Sequence, residues 1–158
     1  MEEKFMKEAI KLAIKAFRLD EIPVGAVIVK DGKIIGKGYN KKEKTKNPLK
    51  HAELIAIEKA SKNVGDWRLN GCEMYITYEP CQMCMGAINE ARIDKVVYGA
   101  SKNEQLYNNE KVIKTNLIKI EEKCLHLLQT FFQNKRNKWW KYVIIYVVGG
   151  SYALFSTL

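Results

Sequence analysis

The chain has 158 residues, of which 47% are apolar and 28% are charged, and its formal net charge is +9. This length and composition predict one globular domain with a substantial core and exclude a largely disordered protein. The positive charge favours a polyanionic partner such as nucleic acid, although a lysine-rich surface also serves solubility alone.

Four cysteines are present, and the first fifteen residues mix acids and lysines with apolar residues at helical spacing. That pattern does not indicate a secretory signal peptide, and a chain with a full core does not need a disulfide framework. We therefore expect a reducing cytoplasm, in which a close pair of cysteines serves metal binding or redox chemistry.

In chain order, the residue patterns predict alternating helices and strands. Apolar residues at three- and four-residue steps predict a helix over residues 5–17, and short apolar runs on either side of Asp31-Gly32 predict a β-hairpin over residues 24–38. The other predicted elements are helices over residues 51–62, 80–91 and 121–135 and strands over residues 72–78, 95–98 and 112–120. This order predicts an α/β fold, a three-layer α/β/α sandwich with a mixed sheet of four to five strands.

The end of the sequence has an unusual composition. Residues 142–158 contain no charge, follow a basic stretch and are interrupted by Gly149-Gly150. A membrane span needs about 20 apolar residues, so membrane contact is the least favoured interpretation. A packed or oligomer-facing tail is favoured, and a disordered or non-native extension comes second. We therefore expect a main domain over residues 1–138 and an apolar C-terminal tail of unknown role over residues 139–158.

Three residues have the chemistry of metal ligands at a suggestive spacing. A catalytic zinc takes three protein ligands and keeps a fourth position for water. His51 offers an imidazole nitrogen, and Cys81 and Cys84 offer two thiolates. A spacing of three places both sulfurs on one side of a helical turn, and Pro80 suits the start of that helix. A helix N-terminus also stabilises thiolates.

Glu53 lies two residues beyond His51, on the predicted first turn of the second helix. Zinc lowers the pKa of its water towards about 7, so zinc-bound hydroxide is available at neutral pH. We expect Glu53 to move the protons, from the water to a ring nitrogen and a departing amine. Alone, His-x-Glu is a common chance pattern, and Cys-x-x-Cys also occurs in redox pairs and structural zinc sites. Together and in this order, they match the motif of the zinc base deaminases.

A structural zinc site would need a fourth ligand, for which the sequence offers three candidates. Cys72 lies at a predicted strand start and Cys124 on the apolar side of the last helix, so we expect both in the core. We expect His126 to be a surface or otherwise satisfied histidine. The catalytic interpretation is therefore favoured over the structural one.

These residues belong to longer stretches that resemble a known family. The sequence resembles the cytidine/deoxycytidylate deaminase superfamily and, within it, the bacterial tRNA adenosine deaminases, from about residue 6 to residue 99 and weakly over residues 121–136. The matching segments are residues 21–27, 47–48, 51–53, 66–69, 79–88, 91–93 and 131–132. The resemblance implies the cytidine deaminase type of fold, with a zinc-dependent deaminase domain over residues 1–138.

The resemblance also implies a function. The implied reaction is hydrolytic deamination of adenosine to inosine at the wobble position of tRNA, with one zinc per chain. The implied partners are the tRNA anticodon loop and a second copy of the chain in a homodimer. Asn40 is implied to contact the purine ring, Ile22 and Val24 to line the base pocket, and Ala52 to belong to the substrate-binding residues. Eight lysines within residues 30–50 suit the phosphates around such a base.

One segment departs from the family. Lys102 occupies a position that is usually acidic, and the connection over residues 101–111 is short. Because a parallel crossover usually needs a dozen or more residues, we expect the fifth strand to be antiparallel, absent or poorly ordered. The altered segment leaves a deaminase of a free base or nucleoside, such as cytosine, guanine or cytidine, as an alternative. A non-catalytic RNA-binding relative with a structural zinc is a third hypothesis, and Glu53 argues against it.

Overall fold

The structure is a computed structural model, which describes the backbone of residues 2–101 and 110–147 and the side chains up to residue 137. Its helices are α1 (Glu2–Arg18), α2 (Lys42–Thr45), α3 (Ala52–Val64), α4 (Gln82–Glu90) and α5 (Ile118–Val147). Its strands are β1 (Gly25–Lys30), β2 (Lys33–Tyr39), β3 (Cys72–Tyr78), β4 (Lys95–Ala100) and β5 (Val112–Lys114). The predicted order is confirmed, and the short α2 is an addition.

The five strands form one mixed sheet in the order β2-β1-β3-β4-β5. Strand β1 is antiparallel to both β2 and β3, whereas β3, β4 and β5 are parallel to one another. Helices α1 and α5 cover one face of the sheet, and α3 and α4 cover the other. The predicted three-layer α/β/α sandwich with a mixed sheet is therefore confirmed.

The core consists of two clusters, one on each face of the sheet. In β1, Ala26 and Ile28 point to the α3 and α4 side, and Val27 and Val29 point to the α1 and α5 side. This alternation follows from the two-residue period of a strand, and burial on both sides explains why β1 is an uninterrupted apolar run.

The β1–β2 hairpin forms as predicted. Asp31 and Gly32 have φ angles of 49° and 73°. Both central residues of a tight hairpin turn of this kind need positive φ, which Asp tolerates and Gly adopts freely.

The expectation for the fifth strand is wrong. Strand β5 pairs in parallel with β4, and it covers Val112–Lys114 rather than residues 112–120. The register places Val112 opposite Val96, so the chain returns by only four residues from Ala100, or about 13 Å. Eleven extended residues can span about 36 Å. The short connection is therefore long enough, because β4 has only six residues and the return along it is short.

The boundaries of three helices also differ from the predicted ones. Helix α4 begins at Gln82, not at Pro80, because Cys81 keeps an extended backbone with φ −75° and ψ 169° and acts as the N-cap. Helix α3 covers Ala52–Val64 rather than residues 51–62, and the following Gly65 has a φ of 77°, which terminates a helix readily. Helix α5 runs over Ile118–Val147 rather than residues 121–135.

Helix α5 continues across residue 138, and the division into residues 1–138 and 139–158 stays a prediction. The prediction about Lys102 falls outside the described residues, and so does most of the uncharged tail. In the described part of the chain, no helix combines the length and the apolar character that crossing a membrane requires.

Candidate active site

The sheet brings the predicted site residues to one edge. Strand β1 begins where β2 ends, since Gly25 lies opposite Tyr39. Strands β3 and β4 end at the same edge, since Tyr78 lies opposite Ala100. Ile22 and Val24 precede β1, Asn40 follows β2, and Cys81 follows β3. Residues that are far apart in sequence therefore converge because four strand ends meet.

Two helix N-termini meet at this edge. His51 is the N-cap of α3, and Cys81 is the N-cap of α4, with Cys84 in the first turn. Neither N-cap side chain caps its own helix, so both remain available to a ligand. The first-turn N–H groups of the two helices have no partner within their own helix, and they give this place a positive potential, which favours thiolates and a carboxylate.

The three predicted metal ligands form a compact group. The Nδ1 atom of His51 lies 3.8 Å from the Sγ atom of Cys81 and 3.5 Å from that of Cys84. All three ligand atoms lie within 4.8 Å of one another. Tetrahedral zinc with ordinary Zn–N and Zn–S bonds separates such atoms by about 3.6 Å. One nitrogen and two sulfurs at this spacing fit a catalytic zinc, which keeps its fourth position for water.

The candidates for a fourth, structural ligand lie elsewhere. Cys72 is buried in the core on the α3 and α4 side, and Cys124 is buried in the core on the α1 and α5 side. His126 lies on α5 and is exposed. Among the residues that the structure describes, His51, Cys81 and Cys84 are the only group of three with this geometry. These positions disfavour the structural-zinc hypothesis.

Glu53 lies beside the ligands, in the first turn of α3, and is only 4% exposed. Burial raises the pKa of its carboxyl to about 7, while hydrogen bonds to its own backbone N–H and to Cys84 oppose the rise. Burial and the neighbouring Glu53 raise the pKa of the Cys84 thiol in turn. Burial, followed by the charge of Lys42, lowers the pKa of His51, which keeps its imidazole neutral and able to bind a metal. Without a cation nearby, burial therefore favours the neutral forms of Glu53 and Cys84, and a metal ion bound between them would favour the charged forms.

A pocket of about 950 Å³ opens at these residues. Its lining includes His51, Glu53 and Cys81 together with three of the predicted substrate contacts, Ile22, Val24 and Asn40. Cys84 is fully buried beneath it. This volume lies near the upper end of the range for small-molecule sites, about 300–1,000 Å³, so the pocket admits a base with part of its surroundings.

Asn40 and Ala52 are connected by a hydrogen bond. The backbone N–H of Ala52 donates to Oδ1 of Asn40 at 2.8 Å, and Asn40 is 6% exposed. This bond satisfies a free N–H at the start of α3 and orients the amide, whose nitrogen remains as a donor. The side chain of Ala52 lies in the core and does not line the pocket. A role for Ala52 in substrate binding stays a prediction.

Sequence reasoning missed one whole wall of the pocket. Helix α5 contributes a stripe at helical spacing, and β3 and β4 add residues at their ends. The stripe consists of Leu125, Leu128, Gln129, Phe132, Gln133 and Arg136. Its apolar members follow a visible helical period, but the period shows only that one side of α5 is covered. It does not show that this side meets the metal site.

Known proteins are similar to this chain in sequence and fold. Residues 1–100 match the model of the cytidine and deoxycytidylate deaminase zinc-binding region. A tRNA-specific adenosine deaminase of Streptococcus pyogenes is 40% identical over 147 residues, which cover 85% of this chain and 91% of that protein.

Two solved structures are similar in fold and sequence. One, from work on A-to-I editing by tRNA:A34 deaminases at the wobble position of transfer RNA, has a TM-score of 0.72 and 31% identity. The match covers 80% of this chain and 99% of the chain in that structure. A guanine deaminase from Bacillus subtilis has a TM-score of 0.60 and 46% identity and covers 63% of this chain and 64% of that one. The chain therefore belongs to the cytidine and deoxycytidylate deaminase family of zinc enzymes, and His51, Cys81 and Cys84 are positioned to hold the metal.

Proposed function

We propose that this chain hydrolyses adenosine to inosine and ammonia at the wobble position of a tRNA anticodon. The observation that carries this proposal is the buried carboxylate of Glu53 beside the His51, Cys81 and Cys84 group, at the wall of an open pocket. The tRNA substrate is supported by the similarity to a tRNA-specific adenosine deaminase over most of both chains.

The reaction needs water to attack C6 of adenine, a proton to reach the ring, and ammonia to leave. When bound by His51, Cys81 and Cys84, zinc supplies a Lewis acid that lowers the pKa of water. Glu53 takes the proton from the attacking water and passes it to N1 of the ring. It then takes the second proton from the hydroxyl now on C6 and delivers it to the amine, which leaves as ammonia as the C6–N bond breaks and the C6 carbonyl forms. A carboxyl pKa near 7 suits a group that must accept and release protons in turn.

The base is held by groups around the pocket. Asn40, oriented by its bond to Ala52, presents its amide nitrogen as a donor to an acceptor atom of the purine. Ile22 and Val24 supply apolar surface against the ring. These three residues fix the orientation of the base, and Glu53 carries out the proton transfers.

Helix α5 favours a base within RNA over a free base. Phe132 lines the pocket with 44% of its surface exposed, and the exposed Arg136 lies one helical turn further along. An exposed aromatic ring suits stacking with a base next to the target, and a guanidinium suits its phosphate. A site for a free nucleobase has no need of either group at its rim.

The second candidate is deamination of a free base. It is favoured by the 46% identity to a guanine deaminase of Bacillus subtilis within the matched region. An assay of inosine formation in an anticodon stem-loop, run beside free adenine, adenosine, guanine, cytosine and cytidine, separates the two candidates. We expect inosine in the stem-loop and slower ammonia release from every free compound. Ammonia release from free compounds alone would overturn the tRNA assignment.

We also propose that the protein is a homodimer in the cytoplasm. Exposed apolar side chains such as Leu49, Trp67 and Met83 support an interface with a second copy. The thiolate ligands must stay reduced to bind metal, and the cytoplasm provides both reducing conditions and tRNA. Light scattering during size-exclusion chromatography gives the mass directly. A mass of 18.2 kDa at micromolar concentration, that of one chain, would contradict the dimer.

A further inference from the structure

One segment lies between two residues that line the active-site pocket. Residues 41–50, here called the rim segment, are closed at the base by a hydrogen bond from the backbone N–H of Lys41 to the carbonyl of Lys50, at 3.0 Å. The residues on either side of the segment, Asn40 and His51, both line the pocket. The rim segment is therefore a compact loop whose two ends are anchored in the active site.

A buried carboxylate is hydrogen-bonded to the backbone of the rim segment. Glu21 is 1% exposed, and its two oxygens accept the backbone N–H groups of Glu43 at 3.0 Å and Lys44 at 2.7 Å. Charge-assisted hydrogen bonds of this kind are short and strong. The next residue, Ile22, lines the pocket. Glu21 therefore connects the wall of the base pocket to α2, which is the helical part of the rim segment.

The rim segment carries an excess of positive charge. It contains five lysines and one acid, Glu43. Lys50 pairs with Glu58 at 3.6 Å, and the ammonium of Lys41 lies 4.9 Å from the centre of the Tyr39 ring.

Three lysines of the rim segment remain, namely Lys42, Lys44 and Lys46, and all three are exposed. Within the described residues, no carboxylate lies at ion-pair distance from these three ammonium groups. Holding like charges together in a fixed loop costs free energy, which a polyanion bound across them would recover.

We propose that the rim segment binds the phosphate backbone of the RNA strand that enters the pocket, through Lys42, Lys44 and Lys46, and that Glu21 is the positioning residue that holds it there. This inference rests on the proposed function, because the polyanion at this pocket is the RNA that carries the target adenosine. Contacts to phosphates are independent of base sequence, so the rim segment contributes affinity and register while the pocket selects the base.

The test measures RNA binding apart from catalysis. In a Glu53→Ala background, the dissociation constant of a fluorescent anticodon stem-loop is measured against salt concentration for two triple variants. One is K42A/K44A/K46A, and the other is K33A/K59A/K62A, a control with the same change in net charge on exposed lysines outside the rim segment. Each lost phosphate contact reduces the slope of log K against log salt by about 0.7–0.9.

We expect the rim variant to weaken binding at least about tenfold at low salt and to reduce the slope by about two. The control should change the dissociation constant by less than about threefold, because only the long-range field differs. Equal effects in the two triple variants would overturn the rim proposal while leaving the proposed function intact. A parent protein that bound no stem-loop would overturn both, and so the two failures are distinguishable.

The role of Glu21 is tested by a double-mutant cycle. Glu21→Gln keeps the size of the side chain but places an NH₂ group against one of the two backbone donors. We expect it to weaken RNA binding about as much as the rim variant does, and to add little once Lys42, Lys44 and Lys46 are gone. In the active enzyme it should raise KM much more than it lowers kcat. Full additivity in the cycle would assign Glu21 a merely structural role.

Discussion

Gly38 controls how closely α3 approaches the sheet, and α3 carries His51 and Glu53. A Cβ atom added at Gly38 would lie 2.0 Å from the carbonyl oxygen of Ala52 and 2.7 Å from the backbone nitrogen of Ala56. Both are backbone atoms of α3, so no side-chain rotation relieves the contact. Gly38→Ala therefore forces β2 and α3 apart.

The size of the effect follows from these distances. Cβ atoms essentially never lie closer than 3.0 Å to a heavy atom elsewhere in the chain, so the helix must move by about 1 Å or more near its N-terminus. Overpacking of this kind typically costs about 1–3 kcal/mol and sometimes more. We expect a loss of about 3 kcal/mol in the free energy of unfolding, because the new Cβ atom meets backbone atoms that cannot rotate away. A 1 Å misplacement of catalytic groups costs about 100-fold in rate, so kcat/KM should fall by about that factor.

Urea unfolding measures the stability, and inosine formation in the stem-loop measures the rate. Lys37→Ala is the matched control, since Lys37 is the exposed neighbour of Gly38 and loses only a surface ion pair with Glu8, at 3.3 Å. Such a pair contributes less than about 1 kcal/mol. A Gly38→Ala protein with the stability and kcat/KM of the Lys37→Ala control would refute the argument that this close approach positions the site.

Three further predictions concern the site itself. Glu53→Gln should retain zinc and lower kcat by about 100-fold or more, as metal analysis beside the rate assay will check. Cys84→Ala should lose the single zinc per chain, and its melting temperature should no longer respond to a chelator. Asn40→Ala should lower the unfolding free energy by about 1–3 kcal/mol, because it leaves the buried N–H of Ala52 unpaired. Asn40→Asp keeps that acceptor but lacks the amide donor, so it should lose activity with a smaller loss of stability. Unchanged activity in Asn40→Asp would argue against a purine contact.

The exposed ring of Phe132 gives a final test of the RNA assignment. If this ring stacks on a neighbouring base, Phe132→Ala should weaken stem-loop binding by about 1–3 kcal/mol. Turnover of a free nucleoside should change much less, because nothing reaches the ring. A comparable loss on both substrates would mean that Phe132 serves the pocket and not the RNA.

The central residues of the site could be predicted from the sequence because they are recognised by residue type and by short spacings along the chain. Two cysteines three residues apart and a glutamate two residues beyond a histidine predict the metal group and the proton carrier by residue type and spacing alone. Local periodicity likewise predicted the order of helices and strands and the hairpin turn at Asp31-Gly32, where the φ requirement is met by the residues themselves.

The rest depended on contacts between distant parts of the chain. Strand β5 pairs in parallel with β4 and places Val112 opposite Val96, and no local pattern encodes that pairing. The α5 wall, the bond from Ala52 to Asn40 and the burial of Glu21 beneath α2 each join residues separated by 12 or more positions. The sequence by itself thus determined which residues are positioned to hold the metal, and it predicted which residue moves the protons. Only the tertiary structure decided what surrounds them, because the pocket is formed where separate strand ends and helices meet.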